Sequence, residues 1–200
     1  WAGGGRAEVV EGARDLLGAL VAKGGLPELE GDDKRVAQLA AEYADALRGF
    51  TLGYDVPLEA LVPGLAAAGA GAGSRGAAGG KTHHFSFAFV SLCEHHLLPF
   101  HGHLRVVVSA AAAAAPPGRT AVEAVVLKFS HQLQLQERLT AQVAASVMRM
   151  EGVNGCLVVG DAVHACMRAR GAGKTASSTV TYAKLGRFAS DRRLLLRSLQ

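Results

Sequence analysis

Cysteine is scarce in this chain of 200 residues: only Cys93, Cys156 and Cys166 occur. An odd, sparse set does not read as a disulfide framework, and points instead to a reducing, cytoplasmic compartment. Aromatic residues make up only 6% of the chain, so the core must be built mainly from Ala, Val and Leu. No apolar run approaches the ~20 residues of a membrane helix; the longest are Leu16–Ala22 and Val106–Ala115. Long runs of basic residues are also missing, which counts against a nucleic-acid interface despite a formal net charge of +4. No internal repeat is visible. The first residues do not read as a secretory signal, and a start at Trp1 reads as an excerpt, a processed form or an incomplete gene model.

Half of the residues are hydrophobic and 19% are charged, which excludes a chain disordered throughout. Residues 1–25 carry apolar positions at helix spacing, and a second helical pattern with Val36, Leu39, Ala40, Tyr43 and Leu47 follows Asp32-Asp33. A short helical turn fits 57–63. Residues 64–80 are Gly/Ala-rich and read as a linker. Strands are predicted over 85–92, 103–109 and 121–128, with a low-complexity connector from Ala110 to Gly118. Leu133–Met150 has strong helical periodicity. Two strands, 156–161 and 163–169, are expected around a turn near Asp161, then another over 177–182 and a helical tail from Asp191. The pattern divides into an N-terminal helical region (1–63), a linker (64–80) and an α+β domain with an antiparallel sheet (81–200).

The densest chemistry lies in Cys93-Glu94-His95-His96. Cys93 and His96 are three residues apart, close enough in one turn to reach a common point, and a thiolate with an imidazole suits Zn²⁺. The best candidate for a third ligand is Cys166; on a strand it would share a face with His164, one binding metal while the other works beside it. Two Cys and one His leave one tetrahedral position open, as catalytic zinc requires. Cys156 reads as core, and His83, His84, His101 and His103 as solvated or structural. Glu137 stands where a helix start presents a carboxylate to a ligand, a position that equally suits a mere complement to the helix dipole. Gly171–Thr175 imitates a P-loop, but Arg168 stands where that motif needs glycine. Arg168, Arg170 and Lys174 form a basic cluster suited to phosphate oxygens or to a solvated loop. A different zinc hydrolase on nucleobases, such as a deaminase, is disfavoured, since neither H-x-E nor P-C-x-x-C occurs.

Three ordered blocks, Ser91–Phe100, Gln134–Thr140 and His164–Gly171, resemble the GTP cyclohydrolase I family, and Lys34–Ala37 with Gly53-Tyr54 look like its N-terminal region. The resemblance implies a T-fold (tunnelling fold), an antiparallel sheet with helices packed on one side. It also implies assembly into a homo-oligomeric toroid, commonly a decamer, with sites at subunit interfaces. The implied reaction opens the guanine ring of GTP at C8, releases formate and yields 7,8-dihydroneopterin triphosphate, the first step toward folate and tetrahydrobiopterin. Carried over by position, Cys93, His96 and Cys166 match the zinc ligands, and His95 and His164 the catalytic histidines. Glu137 matches the carboxylate that holds the guanine edge, with Gln136 beside it. Arg170 matches a triphosphate-binding arginine. The family also carries a Ser-Lys pair and an Arg on a phosphate-binding helix. Here the strand at 121–128 is expected to run almost straight into the Gln-Glu-Arg block, as though roughly two helical turns were missing, with Lys128 the surviving lysine. That departure supports an alternative: a non-catalytic or partner-dependent module with a degraded triphosphate site, such as one half of the tandem enzymes of plants and algae.

Overall fold

The computed structural model describes residues 5–65, 81–112, 114–169, 171 and 178–199. The predicted linker therefore lies almost wholly outside the described residues, as do Arg170 and Lys174. The chain divides into two compact units, Trp1–Thr51 and Leu52–Gln200.

The first unit is a helical hairpin of α1 (Gly5–Ala22) and α2 (Asp33–Thr51). Asp32 starts α2 by accepting a hydrogen bond from the Arg35 N–H at 2.9 Å, a side-chain cap for an otherwise unpaired donor. Arg6 grips Asp45 through two bonds of 2.8 and 2.9 Å. Ala13, Val36, Ala40 and Ala44 are the buried residues of the two helices.

The second unit opens with the short α3 (Leu58–Leu61), whose Leu58 joins the main core. The predicted fold class holds: α+β, with a five-stranded sheet in the order β3-β1-β2-β4-β5. Its strands are β1 (Thr82–Cys93), β2 (Pro99–Ala110), β3 (Leu133–Gln134), β4 (Val153–His164) and β5 (Thr179–Gly186). All pairings are antiparallel except the short parallel contact of β1 with β3. Along β1, buried Phe87 and Phe89 alternate with exposed Ser86, Ala88 and Val90, the two-residue period of a half-covered strand.

Residues 121–128 are not a strand. They lie within a helix, α4 (Arg119–Ser130). Val122, Val125 and Val126 are all fully buried at three- and four-residue steps, so the valine-rich run that mimics a buried strand is the inner stripe of a helix. Gly118, in extended conformation after Pro116-Pro117, starts it. The two helical turns expected to be missing are therefore present. The long helix expected from Leu133 begins later: Leu133–Gln134 form β3 and α5 runs from Gln136 to Val147.

A second correction concerns β4. The two strands expected around Asp161 are one continuous strand ending at His164, and Cys166 lies in a four-residue helix, α6 (Ala165–Arg168). His164 and Cys166 thus share no strand face. The chain ends with α7 (Arg187–Ser190) and α8 (Arg192–Leu199), the latter capped by Asp191 Oδ1 on the Leu194 N–H at 2.9 Å.

α4 and α5 pack on one face of the sheet over Phe87, Phe89, Leu104, Val106 and Val158. A smaller cluster of Val107, Leu157, Val159 and Phe188 holds α7 and α8 against part of the opposite face. Cys156 is core, as expected: it is fully buried, and burial pushes its thiol up to about 12. Among the described residues no helix is long and apolar enough to cross a membrane.

Gly102 on β2 has no room for a side chain against β4. A Cβ there would lie 2.0 Å from the Asp161 carbonyl oxygen, which is backbone and cannot rotate away. Gly102→Ala is expected to destabilise the second unit by at least about 2 kcal/mol, in the range of core overpacking. Urea unfolding of wild type and variant measures this, with a lower midpoint at an unchanged slope as the expected result.

Candidate active site

The strand ends converge at one edge of the sheet. β1 finishes at Cys93, and the chain returns at Pro99 through a tight loop. The Cys93 N–H donates to the Leu98 carbonyl at 2.9 Å, and the Leu97 N–H donates to the Cys93 carbonyl at 2.8 Å. Closing this loop puts Leu97 in the left-handed region, at φ 53°, unusual for a branched apolar residue. The geometry presents His95 and His96 outward while Cys93 stays buried.

Next to this loop, Phe100 on β2 is paired with His164 on β4. Their rings stack in parallel, 4.6 Å apart with an interplanar angle of 3°. One residue beyond His164 the chain enters α6, which buries Cys166 beside Cys93. The ligating atoms of Cys93, His96 and Cys166 all lie within 4.8 Å of one another. Cys93 Sγ is 4.0 Å from His96 Nδ1 and 3.9 Å from His95 Nδ1. Ligands around a tetrahedral metal with bonds of about 2.0–2.3 Å stand about 3.5–3.8 Å apart. The group is therefore close to metal-binding spacing, and none of the three cysteines is in a disulfide. This is the set expected from the sequence, and it is the one group among the described residues that could hold a metal ion.

The loop is braced from α5. Arg138 makes a short ion pair with Glu94, the residue between Cys93 and the two histidines. The same guanidinium donates to the Leu133 carbonyl at 2.7 Å and to Gln134 Oε1 at 3.0 Å. Gln134 is itself buried, donating to the Phe129 carbonyl at 3.0 Å and Gln142 Oε1 at 2.8 Å. The Glu94 N–H donates to the Gln134 carbonyl at 3.1 Å. Sequence reasoning gave Glu94, Gln134 and Arg138 no role; the four-residue step from Gln134 to Arg138 was the available signal.

Glu137 is exposed in the first turn of α5, and its charge acts on His164. Burial lowers the His164 pKa, and the Glu137 carboxylate opposes that shift by favouring the imidazolium. Gln136, expected beside Glu137 at the substrate, is 2% exposed. Lys128, also expected at the substrate, donates its ammonium to the carbonyls of Gly53 at 2.8 Å and Val56 at 2.6 Å. Arg119, at the start of α4, lies over the Phe87 ring at 4.5 Å and donates to the Ser86 carbonyl at 3.0 Å.

The sequence model of the GTP cyclohydrolase I family matches residues 83–200, more than half of the chain, a span that includes Cys93, His96 and Cys166. The chain belongs to the GTP cyclohydrolase I family. It is 42% identical over 106 residues to GTP cyclohydrolase 1 of Solanum lycopersicum, covering 53% of this chain and 23% of that protein. The Arabidopsis thaliana protein of the same name is 43% identical over 105 residues, 52% of this chain and 22% of that one. The Deinococcus radiodurans protein is 41% identical over 105 residues, 52% of this chain and 48% of its own. The chain thus spans about half or less of the curated relatives it matches. The family match begins at residue 83, so the front block at Lys34–Ala37 and Gly53-Tyr54 lies outside it. Within the match, the sheet with α4 and α5 on one face corresponds to the T-fold expected from the family.

Partners that orient ligands typically change metal affinity by about 10–100-fold. Arg138→Ala is expected to weaken zinc retention by that order, with Arg138→Lys intermediate because an ammonium cannot reach all three oxygens in a planar fork. Competition with a chromogenic chelator measures both.

Proposed function

We propose that the chain is a zinc-dependent GTP cyclohydrolase I, acting on GTP and water to give formate and 7,8-dihydroneopterin triphosphate. The observation that carries this reading is the convergence of Cys93, His96 and Cys166 within 4.8 Å, beside His164 and Glu137. Two thiolates and an imidazole form a donor set suited to zinc rather than to hard cations. Bound zinc supplies Lewis acidity that activates water near neutral pH.

The chain's own residues supply the rest. His95 and His164 move protons as the imidazole ring of guanine opens and C8 leaves as formate. His164 suits that work, because burial favours its neutral form while the Glu137 carboxylate favours the protonated one. Glu137 accepts the ring N–H and the amino N–H of guanine, which no adenine offers. Arg170 binds the triphosphate. The product places the chain in pteridine and folate synthesis.

A homo-oligomeric ring is supported by the sheet's ends. Among the described residues β5 has a neighbour on one side only, and β1, paired with β2 on one side, is met on its other side only by the short β3. On β5, Val180 and Tyr182 are 62% and 67% exposed. Open edges with apolar side chains seek a partner strand. We read the chain as cytoplasmic from its sparse cysteines.

One observation favours the second reading, a module that needs a partner. The cations of α4, Arg119 and Lys128, are both engaged with backbone carbonyls, so phosphate contacts from this helix are weak in the chain alone.

Formate release from GTP by the purified, zinc-loaded chain tests the proposal. Turnover that chelation abolishes is expected; a folded, zinc-containing chain that releases no formate until a second module is added would establish the partner-dependent reading. Cys166→Ser is expected to lose zinc. His164→Ala is expected to keep zinc and lose about 10²–10⁴-fold in turnover, the usual contribution of a general acid or base. Glu137→Gln should impair turnover of GTP without lowering the melting temperature; loss of the fold would mark it as a helix-dipole residue only.

A further inference from the structure

Gln136 sits at the first position of α5, yet its side chain runs into the sheet. The carboxamide nitrogen donates to the Gly160 carbonyl on β4 at 3.1 Å and to the Thr179 carbonyl on β5 at 2.8 Å. Its oxygen, Oε1, lies 2.7 Å from His164 Nε2. All three partners belong to the protein, and the residue is 2% exposed.

The direction of these bonds follows from chemistry. Carbonyl oxygens accept and never donate, so the group facing two of them must be the NH₂ of the amide. The opposite orientation would press a carbonyl against two carbonyls in a buried site. Oε1 therefore faces the histidine and can only accept, so His164 Nε2 must carry a hydrogen. In the neutral ring the other nitrogen, Nδ1, is then the acceptor. Among the described residues Nδ1 has no hydrogen-bond partner of its own. Phe100, stacked flat on the imidazole, blocks rotation out of this plane.

We infer that Gln136 is a positioning residue that fixes His164 in the Nε2–H tautomer and leaves Nδ1 as its proton-accepting atom. Two strands hold the glutamine, and the glutamine holds the histidine. The ring is thus set before any substrate arrives, which removes the need to select a tautomer during proton transfer. The consequence for turnover rests on the proposed cyclohydrolase activity; the tautomer itself does not.

The test uses zinc-loaded protein labelled with ¹⁵N in its histidines and long-range ¹H–¹⁵N correlation spectra. The His164 pattern is identified by its disappearance in His164→Gln. Wild type is expected to show Nε2 protonated and Nδ1 bare. Gln136→Met keeps the volume but removes donor and acceptor, and is expected to give a mixture of tautomers. Gln136→Glu keeps an acceptor toward His164 while losing both donors to Gly160 and Thr179. It is expected to melt lower, as the Met variant does, yet to keep Nε2 protonated. A merely structural glutamine would give both variants the same histidine spectrum. If wild type shows the Nδ1–H form, or if Gln136→Met leaves the pattern unchanged, the inference is overturned.

Kinetics separate the roles further. Gln136→Met is expected to lower kcat for GTP by about 10²-fold with KM nearly unchanged. A raised KM with unchanged kcat would make Gln136 a substrate contact and overturn the assignment. Absence of turnover in wild type overturns the proposed activity alone, and the spectra still decide the tautomer.

Discussion

The antiparallel register of β1, β2 and β4 governs where every reactive group of the second unit stands. Leu92 pairs with Pro99 and Phe100 with His164, so the end of β1, the start of β2 and the end of β4 meet at one edge. A slip of one residue would turn each side chain to the other face. Phe100 would leave the His164 ring and Phe87 and Phe89 would leave the core. Burial of that face therefore protects the site: the apolar area that stabilises the sheet under α4 and α5 also fixes the elements that carry the candidate metal ligands.

A second layer of constraint is polar and comes from the start of α5. Gln134, Gln136 and Arg138 are anchored in three directions, to the end of α4, to β4 and β5, and to the loop after β1. Each buried hydrogen bond contributes only about 1 kcal/mol, but leaving a donor or acceptor unpaired there costs about 1–3 kcal/mol. Such a network stabilises little and specifies much. It lets an exposed loop with a left-handed leucine hold two histidines in one place while Glu137 remains open to solvent.

Much of this was legible in the sequence because the reactive residues are local. Cys93, His95 and His96 share one short segment, and the His164-x-Cys166 spacing survives the correction of its backbone, since a strand end followed by a helical turn can also bring them together. The α4 helix was misread because Val122, Val125 and Val126 fit a buried strand as well as a helical stripe, and Glu123 is the one charged residue among them. The partners that hold Gln136 and Lys128 could not be read from the sequence. Apart from His164, which meets Gln136 Oε1, they are backbone carbonyls of Gly160, Thr179, Gly53 and Val56, which have no signature in the identity of those residues.

The central claim is that three residues from separate elements form one open, thiolate-rich zinc centre. X-ray absorption at the zinc edge of the metal-loaded chain tests it most directly. The account predicts one zinc per chain with two sulfur neighbours at about 2.3 Å and the remaining shell of nitrogen or oxygen at about 2.0–2.1 Å. A shell of nitrogen and oxygen alone, or one with a single sulfur, would contradict it.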